Sequence, residues 1–170
     1  EFTQIGTGSS DLGFMTIPYI VIIAAVISLI MYVVYNKTIL GKNMFAIGGN
    51  PQAAVVSGIN VAVTLVIIYV IAGALYGVGG ILEAARTGGA TNNYGNMYEL
   101  DAIAASVVGG VSITGGIGTV PGIIAGVLIF TVINYGLTFV GMGPYWQLII
   151  KGLIIVVAVA FDVRKSMARK

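Results

Sequence analysis

Charged residues are so sparse along this chain that their positions divide it into hydrophobic segments. None occurs between Asp11 and Lys37, and residues 17–35 (IPYIVIIAAVISLIMYVVY) are apolar almost throughout. At ~1.5 Å per helical residue these 19 positions reach roughly 28 Å, close to the hydrocarbon thickness of a bilayer. Pro18 suits the first turn of such a helix, where its missing N–H costs nothing. Tyr19, Tyr32 and Tyr35 stand near its ends, where aromatic side chains favour the membrane interface. A second charge-free stretch, 43–82, is not one element. Residues 43–60 (NMFAIGGNPQAAVVSGIN) hold a Gly-Gly-Asn-Pro turn and then a short Ala/Val/Ser piece, which breaks a spanning helix. Residues 61–82 form the second predicted span.

Residues 87–98 (TGGATNNYGNMY) are polar and rich in Gly and Asn, and read as a loop. After Asp101 the chain runs 49 residues to Lys151 without a charge, more than the ~20 that one crossing uses. Gly109-Gly110 and 112–119 (SITGGIGT) interrupt the run. The pattern predicts a short helix over 100–111, a Gly-rich break, a long helix from about 119 to 140, and a last span over 147–163. Five crossings result, the third short enough that a re-entrant piece is the alternative. With five, the basic residues Lys37 and Lys42 and the tail Arg164, Lys165, Arg169 and Lys170 share one side, as the excess of basic residues in cytoplasmic loops requires. Glu1, Asp11, Glu83, Arg86, Glu99 and Asp101 then lie outside. The expected fold is an all-α, polytopic transmembrane helix bundle with its N-terminus outside and C-terminus cytoplasmic. A cytoplasmic loop is expected at about 37–60 and an outer one at about 84–99.

Composition agrees. Of 170 residues 58% are apolar and 8% charged, where soluble domains run near a quarter charged. The 25 glycines spread through the apolar stretches, as in closely packed membrane helices. A net charge of +2 does not argue for nucleic acid. Cysteine and histidine are absent, which excludes disulfides, Cys/His metal sites and His- or Cys-based catalysis. The chain does not open with Met, so Glu1 is expected to be a cut point in a longer protein.

Gly118, Gly122 and Gly126 recur every four residues and form a predicted helix-packing stripe, either within the chain or against a second subunit. Ala102, Ser106 and Gly110 form a similar stripe that could face it. Lys151 lies inside the last span. Its stem is expected to snorkel to the interface near Tyr145 and Trp146, in preference to marking a pair or a site. Glu83 and Arg86 are expected to pair locally. Glu99 and Asp101 suit a helix N-terminus. Asn134 either bonds a neighbouring helix or lines a polar path. The Gly clusters at 77–80, 88–89 and 115–118 lack the Lys-Ser/Thr of a phosphate loop. No catalytic residue, metal site or cofactor is expected.

Residues 41–60 (GKNMFAIGGNPQAAVVSGIN), 99–119 (ELDAIAASVVGGVSITGGIGT) and 133–155 (INYGLTFVGMGPYWQLIIKGLII) resemble the permease subunits of bacterial ABC importers for ribose, galactose and related sugars. The resemblance covers nearly the whole chain, and 90–105 and 130–139 lean to the galactose/methyl-galactoside branch. It implies the C-terminal half of a permease in the bacterial inner membrane, surrounded by lipid. The implied partners are a second permease subunit, cytoplasmic ATP-binding subunits and a periplasmic sugar-binding protein. The stretch with Gly49, Asn50, Pro51, Ala53, Ala54, Ser57, Gly58 and Ile59 would be the coupling helix seated in the ATPase. Its small residues suit close docking, and Gly58 can stop it. Ser112, Thr114 and Asn134 are candidates for lining the sugar path. Two other classes compete. An ion-coupled carrier would be expected to hold intramembrane carboxylates, absent here between Asp101 and Asp162. A structural assembly subunit leaves the GGNPQAA segment unexplained.

Overall fold

The computed structural model describes residues 2–11, 16–92 and 94–167. Glu1, expected outside, and Arg169 and Lys170 of the basic tail lie outside the described residues. Two compact units are present: Glu1–Met44 with Val55–Tyr94, and Phe45–Ala54 with Gly95–Lys170.

The first unit opens with a short helix α1 (Phe2–Thr7) and a two-stranded antiparallel ribbon, β1 (Ser9–Asp11) with β2 (Thr16–Pro18), none of which the hydrophobic pattern announces. The spanning helix α2 (Tyr19–Lys37) follows, with Pro18 at its N-cap. At Thr38 the backbone turns extended, and the Thr38 hydroxyl donates back to the Val34 carbonyl at 2.6 Å. Helix α3 (Ile39–Gly49) then begins at once and helix α4 (Pro51–Val56) follows it. Much of what reads as turn in the sequence is therefore helical. The second long helix, α5 (Val61–Thr87), is capped by Asn60, whose side chain accepts from the Val63 N–H at 3.1 Å. It ends at Thr87, five residues beyond the predicted boundary, with Gly88 in the left-handed region as its C-cap. α1 packs on the end of α5, where Gly6 lies against the backbone of Ala85 and Arg86 and Ala85 is fully buried. Glu83 and Arg86 make the expected local pair, two bonds of 2.8 and 3.2 Å.

The second unit is built on α6 (Tyr98–Val108), α7 (Val120–Phe139) and α8 (Pro144–Met167), with α6 packed against both long helices. Four helices among the described residues are long and apolar enough to cross a membrane: α2, α5, α7 and the 144–164 part of α8. α6, the third expected crossing, has 11 residues and reaches only ~16 Å, about half a bilayer. Thr119 caps α7 by accepting from the Gly122 N–H at 3.1 Å, so Gly118 precedes the helix and is not part of its stripe. Ala104, Ala105 and Phe130 are buried together, with Ile155 packed on them. Elsewhere large apolar side chains face outward, among them Leu29, Tyr69, Phe139 and Phe161. Hydrocarbon is the solvent that accepts such a surface.

Candidate functional site

Asn50 joins α3 to α4 and serves both. Its N–H donates to the Ala46 carbonyl at 3.0 Å, ending α3. Its side-chain oxygen accepts from the N–H groups of Gln52 and Ala53, each at 3.0 Å, capping α4. Pro51 occupies the next position, where no donor is needed. At the far end Gly58, with φ +81°, donates to the Val55 carbonyl at 3.0 Å and stops the helix, and Ile59 is half-buried. Of α4 only Ala54 is buried; Pro51, Gln52, Ala53, Val55 and Val56 are exposed, as are Ser57 and Gly58 beyond it. The result is a short, capped helix exposed along most of its length.

The end of α3, just before this helix, rests on glycine. The Gly48-Gly49 backbone lies directly on the backbone of Gly115-Gly116, so closely that a Cβ on Gly48 would stand 2.5 Å from the Gly116 nitrogen. Gly115 and Gly116 have φ of +94° and +73°, a conformation that other residues adopt only with strain. They belong to a tight loop closed by the Ser112 N–H to the Ile117 carbonyl at 2.9 Å. Behind this loop stands Asp162 of α8. Its Oδ2 accepts from the Ser112 hydroxyl at 2.8 Å and the Ile113 N–H at 3.0 Å. Ser112 spends its single proton there, so at 2.8 Å the Thr114 hydroxyl donates to it. Ser112 and Thr114 therefore stand together, bonded to each other in this loop.

Farther along the bundle Gly122 and Gly126 meet α6. A Cβ on either would run into the backbone of Ala105 or Gly109. The small residues that α7 meets are thus Ala105 of α6 and its C-cap Gly109, not the predicted Ala102, Ser106 and Gly110. The helix ends at Val108 and Gly110, at φ +84°, has already left its spiral. Lys151 does not snorkel free. Its Nζ stands 2.7 Å from Asp101 Oδ1 and 5.9 Å from the centre of the Phe130 ring. At that distance the ammonium and the carboxylate form an ion pair. Asn134, one helical turn beyond Phe130, buries its side-chain oxygen with no partner among the described residues. No group of three or more acidic residues among the described residues is arranged to hold a metal ion.

The stacked glycine pairs, Asp162 and the Asp101–Lys151 pair were not identified from sequence. The signal for the last was present: a lysine inside an apolar span needs a counter-charge, and few carboxylates were available.

Comparison with known proteins gives a consistent result. Residues 2–159 match the family described as branched-chain amino acid transport system / permease component. A galactose/methyl galactoside import permease protein of Haemophilus influenzae is 60% identical over 170 residues, 100% of this chain and 51% of that protein. Its counterpart in Escherichia coli is 56% identical over 169 residues, 99% of this chain and 50% of that protein. The ribose import permease protein of Bacillus subtilis is 42% identical over 153 residues, 90% and 48% respectively. The chain spans about half the length of the curated relatives it matches. No solved structure matches it.

Proposed function

The chain belongs to the branched-chain amino acid transport system / permease component family, and from that premise we propose that it is the C-terminal half of the permease subunit of an ATP-driven sugar importer. It is a multi-pass protein of the bacterial inner membrane. The subunit forms the path for a monosaccharide such as galactose or methyl galactoside and couples it to a separate ATPase. The observation that carries this reading is 60% identity, along the whole chain, to a protein named as a galactose/methyl galactoside import permease. Relatives named as galactose/methyl galactoside and ribose import permeases and as a xylose transport system permease fit it, and do not fit an ion-coupled carrier or a structural assembly subunit.

In this reading residues 37–60 face the cytoplasm and α4 seats in a groove of the ATPase. Exposed Gln52, Val55 and Ser57 and the small Ala53 and Gly58 supply the docking face, while Gly49, Asn50, Pro51, Ala54 and Ile59 set its position. Closure of the ATPases on ATP pushes α4 as a lever, and the glycine stack passes the push to the 112–117 loop. Hydrolysis belongs to the ATPase, and the permease carries no catalytic group of its own. Two permease subunits pair, and a periplasmic binding protein delivers the sugar. Ser112, Thr114 and Asn134 remain the candidates for polar contacts along the path; the Asn134 oxygen, without a partner among the described residues, is the kind of acceptor that a sugar hydroxyl satisfies.

The test is uptake of labelled galactose by vesicles holding the full-length permease, its ATPase and the binding protein. Uptake that requires internal ATP supports the proposal. Uptake driven by a proton or sodium gradient without ATP overturns it.

A further inference from the structure

α6, with the loop behind it, lies along α8 at one constant offset. Asp101 meets Lys151 and Ser112 meets Asp162, each 50 positions apart, and Ile155 packs between them on the Ala104–Ala105–Phe130 cluster. A constant offset means that the two segments run parallel and in register. Polar contacts close this seam at both ends, with apolar packing between them. The ends are 11 residues apart on α8, ~16 Å along an unbroken helix with no proline between them. One end touches the loop on which Gly48-Gly49 rests, and the other touches the first turn of α6.

An ion pair is an expensive way to hold two helices together inside an apolar bundle. Well-packed apolar residues would serve as well or better for stability alone. This pair is also only partly shielded: Lys151 is mostly buried, while Asp101 keeps about a third of its side chain exposed (31%). Such a contact can be exchanged without unfolding the helices that carry it.

We propose that the Asp101–Lys151 pair is the far end of a mechanical link that begins at the coupling segment. Displacement of Gly48-Gly49 shifts the 112–117 loop, and Asp162 hands the shift to α8. α8 moves as a rod, and Lys151 draws the first turn of α6 with it. The pair is thus a positioning device that ties sugar movement to ATP hydrolysis. This inference rests on the importer reading proposed above.

The test uses the full-length permease with its ATPase and binding protein in vesicles, and reads sugar transported per ATP hydrolysed. Asp101→Asn and Lys151→Met should each lower that ratio on the order of tenfold, within the usual span of coupling between linked sites, while ATP turnover continues. Asp162→Asn should do the same from the other end. The exchanged pair, Asp101→Lys with Lys151→Asp, should recover most of the ratio. Single variants with an unchanged ratio would overturn the link. Should the single variants fail to assemble, the exchanged pair decides: assembly restored with coupling supports the link, and assembly restored without coupling refutes it. Wild-type vesicles without ATP-dependent uptake would instead refute the importer reading itself.

Discussion

Replacing Gly48 by alanine puts one methyl group where the structure has no room for it. Its Cβ would stand 2.5 Å from the Gly116 nitrogen, where ordinary contact begins at 3.4 Å, so the two strands of backbone must part by about 0.9 Å. Neither side can yield by turning a side chain, because both are glycine backbone. Overpacking of this kind costs roughly 1–3 kcal/mol, and alanine's better helix propensity returns about 0.5–1 kcal/mol of it. The net loss expected is about 0–2.5 kcal/mol. Gly49 is the internal control: a Cβ there meets nothing within 4 Å, so Gly49→Ala should cost nothing. Both variants belong in the full-length permease, solubilised in detergent, with the fraction remaining monodisperse followed against temperature. Gly48→Ala should melt below wild type, and Gly49→Ala no lower than wild type. Equal midpoints for the two variants would refute the glycine stack.

Asn50→Ala removes the acceptor for two N–H groups of α4 and should cost about 1 kcal/mol, read as a lower melting midpoint and faster proteolysis within 50–56. Gly126→Ala drives a methyl into the Ala105 carbonyl and should cost roughly 1–3 kcal/mol in the same melting assay, whereas Gly136→Ala, with open space, should not. Met97 holds φ +64° just before α6; Met97→Gly removes strain of about 1–2 kcal/mol and should raise the midpoint or leave it unchanged, so a lower midpoint would count against this backbone assignment.

The long helices were legible because one physical quantity, apolar length against bilayer thickness, decides them. α2 and α7 fall within two residues of their predicted limits. α5 and α8 run further, since Glu83, Arg86 and Arg164 continue a helix past the apolar stretch that pattern reading measures. α3 was missed for a different reason. Gly48-Gly49-Asn50-Pro51 carries turn chemistry, but Asn50 ends one helix and caps the next, so the turn is compressed into a single residue. In the candidate site, the small residues of α4 and its caps could be read locally. The contacts that hold it could not. Gly48 on Gly116 and Ser112 on Asp162 depend on how helices far apart in sequence register against each other. That register is set by backbone contacts such as Gly126 on Ala105, where a one-position error in the facing stripe changes every partner. Lys151 shows the same limit: its need for a counter-charge was visible, but its choice of Asp101 follows from the parallel seam of α6 and α8.

The central claim, that α4 seats in an ATPase, is tested most directly by disulfide crosslinking. The chain contains no cysteine, so single cysteines placed in this half of the full-length permease have no competitor within it. Gln52, Val55 and Ser57 are exposed and Ala54 is buried, which supplies positive positions and a negative control on one helix. With the ATPase carrying a cysteine in its groove, the first three should crosslink with a yield that changes on adding ATP, and Ala54→Cys should not. Reaction of the three only with membrane-impermeant thiol reagents added from outside, and no crosslink to the ATPase, would contradict both the orientation and the importer account.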